Sequence, residues 1–152
     1  MTAGRIAKRL VGDRLAWVAA MVAEIQALPL GDRESFFADR RNIWTAESCL
    51  RRILEALFDL GRHFLAQGFG VGVSEYKEIA RELGARGVVS AEVTETLVQM
   101  AGYRNRLVHI YHEVDADELY AVCIDHLADV TRAAGAIQEW LIARPDLMDD
   151  VL

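Results

Sequence analysis

The fold is decided by one stretch, Arg104-Asn105-Arg106-Leu107-Val108-His109-Ile110-Tyr111, which the sequence places at the end of a helix that begins near Ser90. At about 100° per residue, one side of this helix carries a broad apolar arc. Arg104 projects into the middle of that arc, which is formed by Leu97, Met100, Leu107 and Val108. Helices seldom aim a guanidinium at their core side, because an unpaired charge taken out of water costs on the order of several kcal/mol.

Other polar side chains gather on the same side of this helix. Asn105, His109 and His112 are spaced i, i+4 and i+7, so they share one edge of the arc. Tyr111 lies seven residues after Arg104 and returns to its face. The spacing therefore predicts that an arginine, an asparagine, a histidine and a tyrosine converge.

Composition favours a helical protein. The chain has 152 residues, of which 53% are hydrophobic and 26% charged, and only two are prolines. It lacks long alternating runs of Val, Ile and Thr, so helices are expected rather than sheet. We predict a single all-α domain over residues 1–152. The net charge of −6 gives no general attraction to phosphates, so contact with a nucleic acid would need a local, shared basic site.

Apolar periodicity predicts an antiparallel bundle of four or five helices. Ser74, Ser90 and Asp115 are expected to cap three of them, with Glu118 as the capping-box partner of Asp115. Residues 32–41 form either a short helix or an irregular crossing, residues 68–72 a flexible link, and residues 146–152 a fraying tail. The predicted helices span about residues 3–28, 43–67, 74–84, 90–109 and 115–145.

The sequence offers few groups for other chemistry. Cys49 and Cys123 are isolated, as expected for buried thiols in a reducing compartment. The apolar run at residues 15–23 is too short to span a bilayer; a signal peptide is an alternative, but helical periodicity continues past it, so a cytoplasmic protein is expected. His109 and His112 could approach one metal ion, but no third ligand is suitably spaced. We expect no metal and no cofactor.

The motif admits two interpretations. In the first, Arg104 is a structural arginine paired with a glutamate of the second helix, and His109 and Tyr111 are core residues. In the second, Arg-Asn-x-x-x-His is similar to the Rx4–6H signature of HEPN domains, and RxxxxHxY resembles their HepT toxin branch. Residues 52–56 and 74–79 are similar to segments of the family's second and third helices. The resemblance covers roughly residues 50–142.

This resemblance implies a homodimer whose motifs face each other, and metal-independent ribonuclease activity. RNA carries a 2′-hydroxyl that can attack the adjacent phosphate. His109 would transfer that proton, because histidine titrates near neutral pH. Arg104 would bind the phosphate and stabilise developing charge, and Asn105 would orient either group.

Tyr111 is the expected point of regulation. The HepT resemblance implies an MntA-like nucleotidyltransferase antitoxin that transfers AMP to this tyrosine. The added phosphodiester charge would occupy the site of Arg104 and block RNA. Two other functions remain open at this stage: a non-catalytic helical module that binds and positions a nucleotidyltransferase, and a purely structural dimeric bundle.

Overall fold

The computed structural model describes residues 5–108 and 115–149. Within these ranges the chain is helical and contains no strand, which confirms the all-α bundle. A π-helix, Phe64–Gly68, continues directly from the third helix, and a short 3-10 helix, Pro145–Leu147, follows the last. The α-helices are α1 (Lys8–Gln26), α2 (Arg33–Ala38), α3 (Arg40–His63), α4 (Tyr76–Ala85), α5 (Ala91–Leu107), α6 (Ala116–Asp125) and α7 (Leu127–Ile142).

Helix α3 is the central element. Asp39 caps it by accepting a hydrogen bond from the Arg41 amide at 2.9 Å. Its wide apolar face is buried almost completely, and α1, α2, α4, α5 and α6 all pack against it. Gly61 lets α4 approach closely, because a Cβ at this position would lie 2.9 Å from Ile79 Cγ2. The exposed side of α3 remains available for polar groups.

Several predicted boundaries and burials are confirmed. Ser90 caps α5, with its hydroxyl accepting from the Val93 amide at 3.1 Å. Residues 32–41 contain a short helix, α2, which Phe36 anchors in the core with no exposed surface. Cys49 and Cys123 are both buried free thiols.

The two ends of the described chain differ from the prediction. Helix α1 begins at Lys8 rather than near residue 3, and Ile6 instead forms a parallel bridge with Met148. The Ala7 amide donates to His63 Nε2 at 2.9 Å, and the Lys8 amide donates to Asp149 Oδ1 at 3.1 Å. Residues 146–152 were expected to fray. The described part of this tail, residues 146–149, is instead bound by these contacts to the start of α1, and residues 150–152 lie outside the described residues.

Three further predictions are wrong. The last helix is divided at His126, whose φ of −120° and ψ of −1° interrupt it. Ser74 is not a cap, since α4 begins at Tyr76 after Glu75 and has no side-chain cap. Residues 68–72 are not a free link: the Gly70 amide donates to the Ala66 carbonyl at 3.1 Å, and the Val71 amide donates to the Leu65 carbonyl at 2.8 Å.

Candidate active site

Arg104 lies in the last turn of α5 and faces α3 and α4. Its guanidinium carbon sits 4.3 Å from the centroid of the Tyr76 ring, and its side chain is 23% exposed. Nη2 contacts Glu55 Oε1 at 3.5 Å, at the long limit of a hydrogen bond. The Nε group is buried and finds no acceptor among the described residues. Arg104 is thus half-buried as predicted, but it is only weakly neutralised.

Glu55 is shared between two arginines. Besides Arg104, it lies 3.9 Å from Arg51 Nη1. The structural interpretation of Arg104, pairing with a glutamate of the second long helix, therefore describes a real contact. Because this contact is long and Glu55 is shared with Arg51, an anion that forms shorter hydrogen bonds could compete for the guanidinium.

Asn105 is brought beside Arg104, as the spacing predicts. Its Oδ1 lies 3.5 Å from Arg104 Nη1. Asn105 also lines a cavity of about 590 Å³, together with Lys77 and Tyr103. The amide therefore lies between the guanidinium and an open space, where it can orient a bound group.

The remaining predicted site residues, His109 and Tyr111, lie outside the described residues, and so does His112. Their convergence with Arg104 stays a prediction. The apolar arc needs one correction, because Val108 is 42% exposed while Leu97, Met100 and Leu107 are buried. Among the described residues, the buried part of the arc therefore ends at Leu107.

Arg106 has a role that the sequence did not suggest. Its guanidinium binds the Glu118 carboxylate at 2.5 and 2.7 Å in a bidentate pair, which holds the end of α5 against α6. The Glu118 amide donates to Asp115 Oδ1 at 2.7 Å, so the predicted Asp115 cap is present.

Tyr103 lies beside the pair of Arg106 and Glu118, and burial raises the pKa of its phenol well above the ordinary value. That phenol therefore stays neutral.

The described histidines have structural partners. His63 Nε2 accepts from the Ala7 amide, and His126 Nδ1 lies 2.9 Å from Asp129 Oδ2. Across residues 5–108 and 115–149, no three His, Cys, Asp or Glu side chains are grouped to hold a metal ion. In the same ranges, none of the helices has the length and apolar character to cross a membrane.

Solved structures share this fold. A tri-AMPylated HEPN toxin from Shewanella oneidensis, in complex with its MNT antitoxin, is 23% identical with a TM-score of 0.77, covering 86% of this chain and 97% of its own. A toxin–antitoxin with AMP-PNP is 22% identical with a TM-score of 0.74, covering 84% and 97%. YutE from Bacillus subtilis, a cytosolic protein of unknown function, is 18% identical with a TM-score of 0.79, covering 97% and 98%.

Sequence comparison points in the same direction. No curated protein matches the chain. A family model described as ribonuclease HepT-like matches residues 19–137, which include α3, α4, α5 and the motif's Arg104, His109 and Tyr111. Because this match spans well over half of the sequence and the fold agrees, the chain belongs to the HepT-like family of HEPN proteins.

Proposed function

We propose that this protein is the toxin subunit of a toxin–antitoxin pair, a metal-independent ribonuclease silenced by a nucleotidyltransferase. The observation that carries the proposal is the state of Arg104. Its guanidinium is partly withdrawn from water, lies beside Asn105, and is neutralised, among the described residues, only by one long contact to the Glu55 carboxylate. A phosphate would offer two short, charge-assisted hydrogen bonds in place of that contact.

The proposed cleavage uses the RNA's own 2′-hydroxyl. His109 takes the proton from this hydroxyl as its oxygen attacks the adjacent phosphorus. The bond to the 5′-oxygen breaks, which leaves a 2′,3′-cyclic phosphate, and the protonated histidine returns the proton to the departing 5′-oxygen. Arg104 stabilises the negative charge that builds on the phosphate oxygens, and Asn105 holds the guanidinium in place. Pairing two chains would place two motifs in one cleft. This arrangement would concentrate cationic groups on a protein whose net charge is −6.

The proposed silencing modifies Tyr111. The phenol oxygen attacks the α-phosphorus of ATP on the partner nucleotidyltransferase, the phenol proton is lost, and pyrophosphate leaves. The resulting phosphodiester is an anion. The helical spacing predicts that it would reach the motif arginine, where it would compete with RNA. The proposal is supported by the family and by two neighbours whose names describe an AMPylated toxin and a pair with AMP-PNP.

One observation favours a second candidate, a non-catalytic module that binds a nucleotidyltransferase. Arg104 already has an internal carboxylate partner in Glu55, as a purely structural arginine would. The two candidates differ in what the chain does alone, because only the ribonuclease should damage RNA without a partner.

Expression of the chain by itself tests the proposal. The wild type should arrest growth and fragment cellular RNA, whereas Arg104→Ala and His109→Ala should be harmless although folded by circular dichroism. Purified protein should still cleave RNA in a metal chelator. Undiminished cleavage by folded His109→Ala, or strict dependence on a divalent ion, would refute the mechanism.

A further inference from the structure

A second polar surface lies between α1 and α3. A cavity of about 230 Å³ opens there, lined by Arg14, Trp17, Arg52, Glu55, Ala56 and Asp59. Trp17 is 42% exposed, although an indole normally contributes most when it is buried. We define the α1–α3 groove as this cavity together with the side chains that continue it, Arg51, Arg62, Tyr76 and Arg104.

The groove is continuous with the candidate active site. Glu55 lines the cavity and also contacts Arg104. Asp59 lines it too and pairs with Arg62 at 3.1 Å. Arg62 and Arg104 both approach the Tyr76 ring, with guanidinium carbons 5.9 and 4.3 Å from its centroid. Glu55 therefore connects the cavity with the guanidinium of the motif.

The charge of the groove is opposite to that of the protein. The groove contains five arginines and two carboxylates, whereas the whole chain carries a net charge of −6. Neither Arg14 nor Arg52 forms an ion pair with any other described residue. Arg62 and Arg104 each have a buried Nε without an acceptor in the described part of the chain. Those two Nε groups are shielded from solvent, so the positive charge left for an extended anion is that of Arg14 and of Arg52, whose Nε donates to the neutral Ser48 hydroxyl.

We propose that the α1–α3 groove binds the single-stranded RNA segment next to the scissile phosphate. One nucleobase stacks on Trp17, Arg14 and Arg52 hold the flanking phosphates, and the strand passes over Glu55 to Arg104. This inference rests on the proposed ribonuclease function. Exposed aromatic rings between arginines are how proteins hold single strands without reading their sequence, since every base has a stacking face. Arginines supply the salt-sensitive part of the affinity.

The test measures binding separately from cleavage. His109→Ala protein, which retains every groove residue, is titrated against a fluorescein-labelled single-stranded RNA of about ten nucleotides, within the usual site size. Adding Trp17→Ala should weaken binding by at least about fivefold, the lower bound for losing one stacked base. Trp17→Phe should retain most of the affinity. Arg14→Gln and Arg52→Gln should weaken binding and make it less dependent on salt.

Trp44 provides a matched control. It is 59% exposed, lies on α3, and is not among the groove residues. Trp44→Ala should bind the RNA as tightly as its parent.

Equal affinity for Trp17→Ala and its parent, or an equal loss of affinity with Trp44→Ala, would overturn the proposal. A weakened nucleotidyltransferase complex with unchanged RNA affinity would also overturn it and assign the groove to the protein partner.

Parallel cleavage assays separate this inference from the function on which it rests. RNA binding that depends on Trp17, in a protein that never cleaves, would support the groove and refute the ribonuclease. If the Trp17→Ala variant cleaves RNA normally with an unchanged KM, the result would support the ribonuclease function and refute RNA binding in the groove.

Discussion

The guanidinium of Arg104 stacks on the ring of Tyr76, 4.3 Å from its centroid. The two residues come from different helices, α5 and α4. Tyr76 in turn stacks on Phe58 of α3, with centroids 4.9 Å apart and an interplanar angle of 21°. The direction of the motif arginine is therefore fixed by a ring that the hydrophobic core holds in place.

This stacking predicts a positioning role for Tyr76. Tyr76→Leu should lower the cleavage rate by roughly 2- to 30-fold, corresponding to a cation–π contribution of about 0.5–2 kcal/mol. Tyr76→Phe keeps the ring and should cleave normally. Single-turnover cleavage checks the pair. Equal rates for Tyr76→Leu and wild type would show that the ring does not position Arg104.

A second prediction concerns Tyr111. Incubation with the active partner nucleotidyltransferase and ATP should add one or more AMP units to this residue and suppress cleavage. Tyr111→Phe removes only the acceptor oxygen, so it should fold, cleave RNA and escape modification. Intact-mass spectrometry is the measurement. Wild-type protein that stays unmodified with an active partner would exclude this mechanism and favour the non-catalytic binding module.

A third prediction concerns assembly. We expect a two-fold homodimer whose interface includes the motif helix, predicted over residues 90–111, because one acidic chain is a poor RNA binder. Val108, which is 42% exposed there, should tolerate alanine, whereas Val108→Asp should weaken the dimer by placing a charge in the interface. Light scattering at micromolar concentration checks both variants. A fully active wild-type monomer would contradict the prediction.

A fourth prediction follows from His63. Burial lowers the pKa of His63 below its ordinary value, although Asp149 acts in the opposite direction. The neutral ring accepts the hydrogen bond from the Ala7 amide. The neutral histidine therefore contributes fully to stability at pH values above the pKa of histidine in the unfolded chain, about 6.5. This contribution is lost as the pH falls through the folded value.

Acidification should therefore destabilise the wild type more than His63→Gln, which can accept a hydrogen bond but does not titrate. Urea unfolding at about pH 7.5 and about pH 5.5 measures the difference in the free energy of unfolding between the two variants. Identical pH dependence in both proteins would show that this histidine does not control stability in that range.

Local signals explain what the sequence could predict. The Ser90 cap and the Asp115 cap each depend on a hydroxyl or carboxylate three residues before its amide, so both are readable from spacing. The position of Arg104 on the inner side of α5 follows from helical periodicity. A glutamate of the second helix was one predicted partner, but the sequence could not identify it as Glu55 or indicate Tyr76, because both reach Arg104 only through the packing of three helices.

The predictions that were wrong concern features for which the sequence carries no local signal. The break at His126 is hidden because the apolar stripe continues on both sides of it, with Cys123 and Leu127 buried alike. The pairing of Ile6 with Met148 joins residues far apart in sequence, and no local pattern announces such a contact. No role for Arg106 was predicted from the sequence, because Glu118 lies beside it only through the packing of α6 against α5.

The contact between Ile6 and Met148 also bears on the order of folding. It closes a loop of nearly the whole described chain, and the entropic cost of closure grows with loop length. The helices that pack on α3 involve much shorter separations and can form earlier. We therefore expect this contact to form after the transition state. Strengthening it would slow unfolding and leave the folding rate almost unchanged.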